Sequence, residues 1–75
     1  MIKELDNIVL TSDLPEYGLA DGDIGTVVMV HAKGAGYEVE FVALDGETIA
    51  VTSLTAAQIR PIDHKEIAHA RRVAA

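Results

Sequence analysis

The stretch DGDIGTVVMVHAKGAGYEVEF, residues 21–41, decides the fold. It opens with turn-forming residues at 21–23, continues as a β-branched run over residues 24–32, and reverses at the glycine-containing segment 33–36. Residues 37–41, YEVEF, then alternate apolar and acidic side chains, which is typical of a strand with one buried face. The stretch therefore predicts a β-hairpin on which the rest of the chain packs.

Shorter segments on both sides complete the predicted sheet. Three of them have the composition of strands: residues 7–11, 48–54 and 59–61. An Asp-Gly pair at 45–46 is a strong hairpin signal, and Thr55 with Gln58 three residues later has the spacing of a capping box on one 3₁₀ turn. The prediction is a mainly β domain over residues 1–62, a small five-stranded SH3-like barrel.

The last residues, 63–75, predict a short C-terminal α-helix. Asp63 and Glu66 have the capping-box spacing, and Ile62 with Ile67 has the spacing of a hydrophobic staple. An apolar stripe at helical spacing follows from three residues: Ile67, Ala70 and Val73. Because so short a helix is marginal alone, it has to dock on its own barrel or on a neighbouring subunit.

Composition favours self-association. A chain of 75 residues buries a small core, and with no cysteine it has no disulfide to support it. Yet 49% of its residues are hydrophobic, and the strand at 24–32 is apolar on both faces. Such a strand is expected where a small barrel bends it across two sheets, or where a partner covers one side. The predicted interface consists of six residues: Val27, Met29, Ile62, Ile67, Ala70 and Val73.

The net charge of −6 points away from nucleic acid, because an acidic body repels phosphate. It permits a basic protein partner. The long loop 12–23 is the best candidate for such a contact, since a loop of this length is often functional. The predicted contact residues are Asp13, Pro15, Glu16 and Tyr17. With no leader-like segment and no apolar run long enough to span a bilayer, we expect a cytoplasmic protein without a membrane partner.

Several stretches together resemble a known bacterial family. They are LTSDLPEYGL (10–19), GDIGTVV (22–28), YEVEF (37–41), DGETIAV (45–51) and QIRP (58–61). The second and third resemble SH3-like barrels of the KOW type and the small tethering barrels of redox and hydratase subunits. The whole set, over residues 2–62, resembles the bacterial domain-of-unknown-function family numbered 4926. This resemblance implies stand-alone cytoplasmic domains, some working beside a partner protein such as a toxin, and it supplies no catalytic residues.

The sequence holds no recognisable catalytic or metal-binding pattern. His64 and His69 would lie on different sides of the predicted helix, and His31 belongs to a strand, so zinc-ligand spacing is missing. Ser12 and Ser53 stand in no nucleophile motif, and the acidic residues cluster at turns, which favour Asp for backbone reasons. A barrel this small also has little room for an internal pocket. We therefore expect no enzyme activity, no metal and no cofactor.

Three functions remain open from the sequence. The first is a non-enzymatic interaction module that self-associates as a homo-oligomer. The second is an antitoxin-like or adaptor partner of another bacterial protein. The third is a KOW-like nucleic-acid binder, which the acidic charge and the scarcity of aromatic residues, 4% of the chain, disfavour.

Overall fold

A computed structural model describes residues 1–73 of the chain. Five antiparallel strands form one sheet in the order β4-β3-β2-β1-β5. The strands are β1 (Asn7–Leu10), β2 (Ile24–His31), β3 (Gly36–Val42), β4 (Thr48–Leu54) and β5 (Ile59–Pro61). Two 3₁₀ turns, Pro15–Tyr17 and Ala56–Gln58, interrupt the connections. The predicted mainly β, five-stranded fold is confirmed.

The core lies on one face of the sheet. Every strand contributes to it, and its most completely buried side chains are Ile8, Leu10, Val27 and Val39. Alternation along β3 places Tyr37, Val39 and Phe41 inward and Glu38 and Glu40 outward, as the sequence predicts. The close approach of β2 to β3 requires Gly25, because a Cβ there would lie 2.6 Å from a methyl of Val39. The side chains of Val39 and Phe41 occupy the space that this Cβ would need, which explains the glycine at the second position of β2.

A β-bulge in the middle of β2 changes which residues face the core. Val27 pairs with Val39, but Met29 pairs with Glu38, so Val28 is an extra residue with no partner on β3. Beyond the bulge the alternation is therefore shifted by one residue. Val27 is fully buried whereas Met29 is half exposed, although strict alternation would place both on one face.

The two outermost strands differ in how the chain treats their free sides. β5 is three residues long, contains Pro61, and carries Arg60 in an ion pair with Glu66. β4 is seven residues long and contains neither proline nor a charged residue. Within residues 1–73, β4 pairs only with β3 and β5 pairs only with β1, so both strands are edges of the sheet.

The predicted C-terminal helix is wrong for the described part of the tail. The local contacts of a cap do form: the backbone N–H of Asp63 donates to Oε2 of Glu66 at 2.8 Å, and the N–H of Lys65 donates to Oδ1 of Asp63 at 3.1 Å. A turn at residues 64–65 follows, but no helix continues through residues 66–73. The end of the predicted helix, residues 74–75, lies outside the described residues.

Tertiary contacts explain why the helix does not form. The guanidinium of Arg60 holds both oxygens of Glu66 at 2.7 Å, which ties the first turn to β5. Ile67, which the predicted staple needs, is 86% exposed, so no apolar surface supports a helix that is marginal by itself. Farther along, Arg71 is bound by the body of the domain.

In residues 1–73, no helix is long and apolar enough to cross a membrane.

Candidate functional site

The outer face of strands β2, β3 and β4 combines apolar and acidic side chains. Cross-strand pairs place Met29 beside Glu38, and Glu40 beside Val51. Met29 is 49% exposed and Val51 is 52% exposed, and the bulge residue Val28 is also well exposed. The face therefore presents two carboxylates along the central strand with an apolar side chain next to each of them.

Hydrogen bonds fix both carboxylates on this face. Oε2 of Glu38 accepts a bond from the hydroxyl of Ser53 and lies 3.0 Å from Nε2 of His31. The Ser53 bond, followed by the His31 bond, lowers the pKa of Glu38. Glu40 accepts from the hydroxyl of Thr48 at 3.0 Å. The lowered pKa keeps Glu38 charged at neutral pH, and this carboxylate contributes to the acidic character of the face.

His31, Glu38 and Ser53 do not form a nucleophilic triad. Such a triad needs a base next to the nucleophile and a third group that orients the base. Here the carboxylate of Glu38 lies between the other two side chains. The hydroxyl of Ser53 donates its hydrogen bond to Glu38 and not to His31. In the part of the chain that the structure describes, no group of three or more metal-ligating side chains converges either.

The predicted interface residues do not form one surface. Val27 lies in the core with no exposed area, so it is inaccessible to a neighbouring copy in this fold. Met29 is on the outer face of the sheet. Ile62 is half-buried beside β5, whereas Ile67, Ala70 and Val73 lie along the non-helical tail and are exposed. Without a helix, these last three residues do not share a stripe.

The loop 12–23 is compact. Leu14 and Leu19 are buried and bridge to each other, with each N–H donating to the other residue's carbonyl at 2.9 and 3.1 Å. Asp13 braces the loop by accepting from the N–H of Asp21 at 2.9 Å. The first 3₁₀ turn lies between the two bridged residues, and all three of its residues are exposed. The four predicted contact residues are all exposed there: Asp13, Pro15, Glu16 and Tyr17.

The tail returns to this loop through one arginine. Nε of Arg71 donates to Oδ1 of Asp23 at 2.7 Å, and its Nη2 donates to the carbonyl of Gly18 at 3.0 Å. Burial alone would raise the pKa of Asp23, but hydrogen bonds from Arg71 and from the N–H of Ala20 outweigh it and lower that pKa. The tail is thereby held against the body of the domain.

An open cleft with a volume of about 950 Å³ lies beside this contact. Tail residues 68–73 form one wall, and residues 42–45 at the end of β3 and in the following turn contribute to the other. Leu44 is fully exposed at its rim. Arg71, which lines this cleft, is already engaged by Asp23, so its guanidinium is not free to bind a ligand there.

The feature that sequence reasoning missed is the free side of β4. Its signal is present in the sequence, since residues 48–58 carry no charge, an unusually long interval in a chain of this composition. What the sequence does not specify is which strand ends the sheet, and only the strand order turns this uncharged interval into an exposed edge.

Comparison with known proteins gives a family and no function. No curated protein and no solved structure matches the chain. Residues 4–61 match the model of the family described as Domain of unknown function (DUF4926), which agrees with the resemblance noted in the sequence. The match spans the five strands and ends where the tail begins. The chain belongs to this domain-of-unknown-function family.

Proposed function

We propose that the protein is a non-enzymatic protein-interaction module that self-associates. Its fold would be an SH3-like barrel in which β4 and β5 are not hydrogen-bonded to each other. The observation that carries the proposal is the edge strand β4, seven residues long and free of charge and proline. Native proteins usually shorten, charge or cover such edges, because an uncovered edge pairs readily with another chain. An exposed edge of this kind is therefore suited to binding protein.

The acidic body limits which contacts are available to a second copy. Two molecules that each carry a net charge of −6 repel each other wherever acidic surfaces meet. Glu38 and Glu40 make the outer face such a surface. Association of two copies is therefore best supported at the uncharged edge, and it should be weak because strand pairing alone buries a small area.

Light scattering on the full chain over a wide concentration range tests this function. We expect the mass to rise with concentration from the monomer value of 8.0 kDa toward twice that value. Added salt should strengthen the association, because it screens repulsion between like-charged copies. A mass that stays at the monomer value at every concentration and salt level would refute self-association.

A second candidate, an antitoxin-like or adaptor partner of another protein, is supported by the exposed turn Pro15–Tyr17. It places Glu16 next to Tyr17, a residue that is 44% exposed, and this combination suits a basic partner surface. Such binding should weaken with salt, the opposite of the first proposal. If Glu16→Lys does not alter binding to a captured basic partner, this candidate is excluded. Nucleic-acid binding has the least support, given the net charge.

A further inference from the structure

We propose that the second copy binds antiparallel along β4 through its own β4, so that the two sheets become one continuous sheet. This inference rests on the proposed self-association and specifies its surface and geometry. The unpaired backbone groups on the free side of β4 supply the hydrogen bonds, and a seven-residue strand is long enough to offer several of them.

Charge selects the edge over the outer face. When two β4 strands pair, the Glu40 residues of the two copies are separated by three strand spacings, about 14 Å at the usual strand separation. That distance exceeds the screening length of about 8 Å at physiological salt. Stacking the two outer faces would instead bring the carboxylates of Glu38 and Glu40 in one copy against those in the other.

Charge also selects the antiparallel arrangement. Glu47 immediately precedes β4, and Thr55 immediately follows it. In a parallel pair, the two Glu47 side chains would be neighbours. In an antiparallel pair they lie at opposite ends of the shared ladder, roughly 27 Å apart at the usual rise per residue, and each faces the uncharged end of the other strand. Antiparallel pairing is also the two-fold arrangement in which both copies use the same surface.

Val51 lies at the middle of β4 and faces outward beside Glu40. With the two-fold axis at or next to this residue, Val51 of one copy lies beside Val51 of the other. The row across the dimer then reads Glu40, Val51, Val51, Glu40, with two apolar side chains between the acidic ones. A charge at position 51 would therefore be repeated across the axis.

The test compares Val51→Glu with Met29→Glu in the full chain. The two positions are matched: each is about half exposed on the outer face, and each is paired with a glutamate of β3. They differ in that Met29 belongs to the internal strand β2. We expect Val51→Glu to raise the dimer dissociation constant at least about tenfold, since like charges placed together across an interface are costly, and Met29→Glu to leave it within about twofold.

Mixing provides the second measurement and guards against a folding defect. Val51→Lys mixed with Val51→Glu should form a heterodimer more readily than Val51→Glu forms a homodimer, because opposite charges then meet across the axis. Circular dichroism confirms that each variant is folded before the comparison. Val51→Glu that dimerises like wild type, or a loss confined to Met29→Glu, would overturn edge pairing while leaving self-association intact. A monomeric wild type would overturn both.

Discussion

The two edge strands of the sheet, β4 and β5, differ in how their unpaired backbone groups are protected from pairing with another chain. At β5 the chain limits access to the unpaired backbone in three ways, with a strand of only three residues, a proline at position 61 and the charged side chain of Arg60. The turn after β5 adds Glu66, whose carboxylate binds Arg60 through two hydrogen bonds of 2.7 Å. At β4, seven residues run without any of these features.

The features that protect an edge strand, namely short length, proline and an ion-paired charge, are therefore present at β5 and missing from β4. The bare edge also lies next to the half-exposed Val51, whereas the protected edge borders an ion pair. Since a small domain gains little from its own core, an unprotected strand is a hazard unless it is used. We therefore interpret β4 as a binding edge and β5 as a terminated one.

Truncation of the buried side chain that each edge strand contributes to the core should lower the stability of the domain most. Each contributes one large buried side chain to the core, Leu54 from β4 and Ile59 from β5, with 4% and 5% exposure. Truncation to alanine at either site should lower the free energy of unfolding by about 2–5 kcal/mol, because each leaves a cavity in a small core. Urea denaturation of the two variants measures the loss.

Val51→Ala is the control for this comparison. Its side chain lies on the solvent side of β4, so we expect a change within about 0.5 kcal/mol. A severe loss for Ile59→Ala together with a negligible one for Leu54→Ala would mean that β4 is not anchored from the inner face. The two edges would then differ in their attachment as well as in their protection.

A smaller effect is expected at the protected edge alone. The hydrogen bonds from Arg60, with a further one from the N–H of Asp63, lower the pKa of Glu66 to about 2 from its ordinary value of 4.5. A carboxyl whose pKa is depressed by folding stabilises the folded state above its unfolded pKa, and loses this contribution as the pH falls toward the folded value. Wild type should therefore lose more stability than Glu66→Gln between pH 4.5 and about 2.

Glu16→Gln controls for the general effect of removing one acid, because Glu16 forms no ion pair within residues 1–73. Thermal unfolding at a series of pH values gives the comparison. Parallel pH dependence for wild type and Glu66→Gln would show that the ion pair does not contribute to the stability of this edge. The effect is small in either case because the pair is exposed to solvent.

The sequence predicts the strands well because each is specified locally. Alternation defines β3, and the Asp-Gly pair before β4 forms the expected turn, with Gly46 at φ 95° and Oδ1 of Asp45 accepting from the N–H of Glu47. Gln58 closes its capping box on Thr55, with Oε1 accepting from the N–H of Thr55 at 2.9 Å. In these cases the determining contacts lie within a few residues.

Sequence predictions fail where contacts between residues far apart in the chain determine the local structure. The pattern at Asp63 and Glu66 does produce cap contacts, yet Arg60 engages the same carboxylate and Asp23 engages Arg71, so the tail follows ion pairs instead of helical spacing. Strict alternation would place Val27 and Met29 on one face of β2, but the bulge between them puts Val27 in the core and Met29 on the outer face. Neither outcome is visible in local periodicity.

Hydrogen exchange along the two edge strands is the sharpest test of pairing between two copies through β4. We expect backbone amides of β4 that point away from β3 to exchange more slowly as the protein is concentrated, because a second copy bonds to them. Amides of β5 and those around Met29 should exchange at rates that do not depend on concentration. Concentration-dependent protection at β5 or around Met29, with none at β4, would contradict this pairing.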